Sequence, residues 1–69
     1  MNNVSLLFGN VFVDCISVEI NGENLICITK KCVGNFAKLV ALGVNFDVDG
    51  DENYIFGMSY DRVSQVRYL

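Results

Sequence analysis

Between Val11 and Lys30 the apolar residues crowd into two runs rich in Val and Ile, separated by the polar stretch Asn21-Gly22-Glu23-Asn24. Asn-Gly readily takes the positive φ angles of tight hairpin turns, so this segment reads as a β-hairpin. A two-residue turn at Asn21-Gly22 pairs Val18 with Leu25 and Ile16 with Cys27, whereas a four-residue loop pairs Val18 with Cys27 and Ile20 with Leu25. Side chains alternate between faces along a strand, so both registers give the same two sides. Phe12, Ile16, Val18, Ile20, Leu25 and Cys27 fall on one, and Val11, Val13, Cys15, Ile26 and Ile28 on the other. Neither side is polar. The second therefore predicts a homodimer interface at Val11, Val13, Ile26 and Ile28, because exposed apolar patches of this kind mark contacts.

Upstream, Val4–Phe8 runs into Gly9-Asn10, a turn pair that folds residues 4–8 back onto the start of the long strand; a short helix from Asn3 is the alternative. Between Cys32 and Gly43 the period changes. Phe36–Leu42 forms a compact apolar block with Asn35 as N-cap and Gly43 as the left-handed residue after its end, which predicts a helix over residues 35–42. Lys38 is its sole charge, as expected of a helix buried or at an interface.

Beyond Gly43, Val44, Phe46 and Val48 alternate with polar residues, as do Tyr54, Phe56 and Met58 after Gly50. An odd-length loop at residues 49–53 sets both groups on one face. Residues 62–69 fit a strand better than a helix. The fold class is α+β: a small antiparallel β-sheet of four to six strands with one short helix inserted between hairpins, in a single domain spanning residues 1–69.

With 69 residues, 52% of them apolar, the chain suffices for one core but a small one, netting roughly 3–5 kcal/mol. Chains of this size are commonly stapled by a disulfide, a metal or a partner. Cys15, Cys27 and Cys32 are odd in number and include no Cys-x-x-Cys pair. Cys15 and Cys27 fall on opposite hairpin faces, and Cys32 lies about 13 Å further along the ladder than Cys15. Three free thiols in a reduced, cytoplasmic setting are expected, with no secretory signal and no membrane span.

Asn45-Phe46-Asp47-Val48-Asp49-Gly50 resembles the opening of an EF-hand calcium loop, but the twelfth position, normally a bidentate Glu, is Phe56. No metal or other cofactor is expected. With no histidine, acid–base chemistry would need perturbed carboxylates or thiols. Asp14 shares a face with Phe12 and Ile16, which places it near the sheet edge or in a pair with Lys30 or Lys31; no second carboxylate lies at a defined spacing from it, and Cys15 lacks a base to activate it. The chain reads as a protein without catalysis.

Charge is segregated more sharply than the net −3 suggests: residues 1–28 carry −3, residues 29–43 carry +3 and residues 44–61 carry −5. The Lys30, Lys31 and Lys38 patch is too small to predict direct nucleic-acid binding. Asp47, Asp49, Asp51 and Glu52, with Tyr54 beside them, instead predict a contact surface for a protein partner with a basic surface. These features together predict a small acidic interaction protein that inhibits another protein. Phage-encoded antagonists of bacterial defence such as anti-CRISPR proteins share this size and character. A homo-oligomeric structural or accessory subunit is the alternative.

Overall fold

The computed structural model of the chain describes residues 3–30 and 34–68, so Lys31, Cys32 and Leu69 lie outside the described residues. The strands are β1 (Val4–Phe8), β2 (Val11–Cys15), β3 (Ser17–Asn21), β4 (Asn24–Thr29), β5 (Asn45–Val48), β6 (Tyr54–Ser59) and β7 (Val63–Tyr68). Among the described residues there is one α-helix, α1 (Phe36–Ala41), between β4 and β5 in sequence, and a 3-10 turn at Tyr60–Arg62 precedes β7.

These strands form two antiparallel sheets, ordered β2-β1-β7 and β3-β4-β6-β5, rather than one sheet of four to six strands. The split occurs at Ile16. That residue bends the chain between β2 and β3, and its N–H donates to the Ile28 carbonyl at 2.7 Å. One extra residue at a bend reverses the parity of everything beyond it, as a β-bulge does. Hence odd-numbered residues of β2 and even-numbered residues of β3 face the interior: Val11, Val13 and Cys15 are buried, and Val18 packs against the core.

The bend overturns two expectations. Val11 and Val13 are 3% and 2% exposed and belong to the core, not to an outer face shared with Ile26 and Ile28. Cys15 and Cys27 both point inward, from β2 and β4, and form a disulfide with a Cα–Cα distance of 5.5 Å. Opposite hairpin faces would have kept them apart, but the two cysteines meet across the interior between two sheets.

Both expected hairpins form. Val4–Phe8 is a strand rather than a helix, and Phe8 pairs with Val11 around Gly9 at φ +61°. In the second hairpin Val18 pairs with Cys27 and Ile20 with Leu25. The ladder continues to Asn21 and Asn24, leaving a two-residue turn with Gly22 first at φ +63°, the position that needs glycine in a type II′ turn. Residues 63–68 form a strand against β1.

Phe46 pairs with Phe56 and Val48 with Tyr54, as the five-residue loop requires. Helix α1 lies against this inner face through Phe36, whose ring centroid is 4.9 Å from that of Phe46, 5.5 Å from Tyr54 and 6.2 Å from Phe56. Leu39 is fully buried, and Gly43 takes the expected positive φ of +84°. Asn35 makes no N-cap bond. Its Nδ2 instead donates to the Phe12 carbonyl at 3.2 Å, fastening the helix start to β2. At the other end, an Arg62 guanidinium N–H donates to the Leu42 carbonyl at 3.1 Å.

Candidate interaction surface

Helix α1 covers part of the inner face at β5 and β6 through Phe36 and the buried Leu39; no helix among the described residues lies over the β3 and β7 edges. There the edge strands β3 and β7 border a cleft of about 410 Å³, floored by Val4 and walled by Ile16, Val18, Ile20, Val66 and Tyr68. Three of these side chains point toward the cleft yet remain strongly exposed, Ile20 at 66%, Val66 at 41% and Tyr68 at 78%. Alternation explains why. Val18 and Ile20 continue the inner face of β4 outward, and Val66 and Tyr68 continue that of β1, paired with Leu6 and Val4. No strand among the described residues covers them, since β3 and β7 each end a sheet.

Ile20 also lines a second hollow, of about 320 Å³, with Gly22, Glu23, Tyr60 and Asp61. The Tyr60 N–H donates to the Glu23 carbonyl at 2.9 Å, holding the 3-10 turn against the hairpin. The apolar cleft thus runs past Ile20 into an acidic end, with Glu19 exposed on the same strand. The two arginines are engaged elsewhere. Arg62 lies 4.7 Å from the Phe8 ring centroid besides bonding Leu42, and Arg67 lies 5.1 Å from that of Phe12, across β1 and over the buried Ser5.

The acidic residues singled out by sequence do not act as one unit. Asp47 points to the outer face of the four-stranded sheet, and its Oδ1 accepts from the Val48 N–H at 2.8 Å. Asp49 organises its own loop: Oδ1 accepts from the N–H groups of Asp51 (2.9 Å) and Asn53 (2.8 Å), and Oδ2 accepts from Asn53 Nδ2 at 3.3 Å. Asp51 and Glu52 are exposed, Glu52 at a positive φ of +63°. Tyr54 is half-buried, 5.0 Å from Phe46 in the aromatic cluster, and so is no free anchor.

The Asn53 N–H bond is the main cause holding the Asp49 carboxyl below its ordinary value of 3.8; desolvation opposes it, and the Asn53 side chain and the Asp51 N–H add lesser lowering contributions. A carboxyl lowered in the folded state stabilises the fold above its unfolded value and loses that contribution as pH falls through the lowered one. NMR titration should therefore show Asp49 titrating below the ordinary value of 3.8, and Asp49→Ala should leave the melting curve less sensitive to pH as it falls below that value.

Asp14 is exposed on the outer face of the three-stranded sheet, paired with Ser5. It lies on an edge strand, one of the two places expected for it; of the alternative partners, Lys31 lies outside the described residues and Lys30 is exposed. Among the described residues no cluster of carboxylates and thiols is arranged to hold a metal ion. Ile26 and Ile28 are half-buried on the outer face of the four-stranded sheet, beside Ile55. No helix among the described residues is long and apolar enough to cross a membrane.

Compared with protein-family models, curated proteins and solved structures, the chain matches none.

The β3/β7 cleft was not singled out from sequence, although a signal for it exists. Asp14 is even-numbered and Glu19 odd-numbered, and an unbroken strand cannot turn both to the same solvent face. That change of parity locates the bend and, with it, the outward side chains of β3.

Proposed function

We propose that the chain is a small interaction protein that binds another protein through the open cleft between β3 and β7 and inhibits it by occupancy rather than catalysis. The observation that carries this reading is the exposure of Ile20, Val66 and Tyr68 around one cleft between two sheet edges. Apolar side chains grouped in a concavity with a charged rim are the usual form of a protein contact. Exposed Glu19, with Glu23 and Asp61 at the adjoining hollow, supplies an acidic rim that would speed association with a basic partner. An antagonist of bacterial defence, as expected from size and acidity, is one member of this class.

A buried disulfide favours an oxidising compartment over the cytoplasm expected from unpaired thiols. A second reading, the homo-oligomeric accessory subunit, draws support from the adjacent half-buried Ile26, Ile28 and Ile55, which would meet across a two-fold axis. Sedimentation separates the two, since Ile28→Lys should convert a dimer of that kind to monomer.

The test of the main reading compares partner capture by the wild type, by Ile20→Ser and by the loop double variant Asp51→Lys with Glu52→Lys. Ile20→Ser should keep the melting temperature and weaken capture about tenfold, the effect of losing one apolar anchor. Capture unaffected by Ile20→Ser but lost in the loop variant would move the interface to the acidic loop.

A further inference from the structure

We infer that β3 receives an extended segment of a partner protein as an added strand, and that this segment alternates apolar with basic residues. The inference rests on the reading of the cleft as an interaction surface and goes on to specify what enters it.

Backbone groups on the β3 side away from β4 have no ladder partner among the described residues, which is the template an added strand uses. The other edges suit such a segment less. β5 is four residues long and leads into the acidic loop, β2 is held to the helix start by Asn35, and β7 carries Arg67, which disfavours a basic strand beside it. β3 has neither Pro nor Lys in Ser17–Asn21, and its one charged guard, Glu19, repels an acidic strand but favours a cationic one.

An added strand would alternate in step with β3. Its inward side chains would enter the cleft beside Val18 and Ile20 and against Val66 and Tyr68, which requires apolar residues there. Its outward side chains would lie next to Glu19, and its end would reach the hollow of Glu23 and Asp61, which requires cations. The chain's own arginines do not neutralise these acids, because Arg62 and Arg67 are committed to Leu42, Phe8 and Phe12. A second copy is a poor occupant: the antiparallel register that matches Val18 with the Ile20 of another β3 sets Glu19 directly opposite its own counterpart.

The experiment uses two labelled, end-blocked octapeptides, one alternating Lys and Val and the other Glu and Val, with binding followed by fluorescence anisotropy and NMR. The Lys–Val peptide should bind about tenfold more tightly than the Glu–Val peptide, and Glu19→Lys with Glu23→Lys should invert that order. NMR shifts should concentrate on Val18, Ile20, Val66 and Tyr68, with slowed amide exchange in β3. Equal binding of the two peptides, no binding of either, shifts confined to the loop at residues 49–53, or self-association through β3 would each overturn strand addition. The capture comparison with Ile20→Ser would still judge separately whether the cleft is an interface at all.

Discussion

Val13→Asp is expected to unfold the chain. Val13 is 2% exposed, pairs with Leu6 in the ladder and lies on the inner face of the three-stranded sheet. Introducing a carboxylate there removes apolar contact and buries a charge without a partner. Such changes exceed about 4 kcal/mol, comparable to the roughly 3–5 kcal/mol that a core of this size nets. The amide spectrum should lose its dispersion and the thermal transition should vanish. The hydrophobic pattern alone predicts the opposite outcome, a folded monomer released from a dimer. A folded Val13→Asp protein would mean that the odd-numbered positions of β2 face solvent and that the bend at Ile16 does not exist.

Reduction of the Cys15–Cys27 disulfide should have the next largest effect. The bond spans 12 residues, and the chain-entropy account assigns a loop of that length about 3 kcal/mol. Because it fastens β2 of one sheet to β4 of the other, its loss also frees the two inner faces to separate. In a domain this small, the melting temperature should fall roughly 10–20 °C on addition of reductant. Cys15→Ala with Cys27→Ala should reproduce the fall and abolish further sensitivity to reductant. Peptide mapping without reduction should recover residues around Cys15 linked to those around Cys27. A melting curve indifferent to reductant, with both thiols free to alkylation, would contradict the structure directly.

The elements legible in the sequence are those whose signals are local. Asn21-Gly22 and Gly9-Asn10 mark two turns, the apolar block after Asn35 marks the helix, and the odd loop between Val48 and Tyr54 fixes the parity of β5 and β6. What the pattern conceals is the division into two sheets. From Val11 to Ile20 apolar residues occupy both parities, and no Gly or Pro interrupts them, so the alternation passes through Ile16 without a break. Face assignment is a long-range property here: it depends on β1 pairing with one half of the segment and β4 with the other. The disulfide, the burial of Val11 and Val13 and the exposure of Ile20 all follow from that one bend. In the same way, the acidic residues were visible, but their roles were not. Only the geometry of the loop shows that Asp49 is occupied by Asn53 and Asp51, and that Tyr54 is packed among Phe36, Phe46 and Phe56.

Amide hydrogen exchange, measured on the free chain and on the chain bound to its captured partner, tests most directly whether the open cleft is the working surface. Binding there should add protection to residues 17–21 and 63–68, the two strands that border the cleft, and leave residues 45–54 exchanging as before. Protection gained only at residues 45–54, with β3 and β7 unchanged, would contradict the account and assign recognition to the acidic loop.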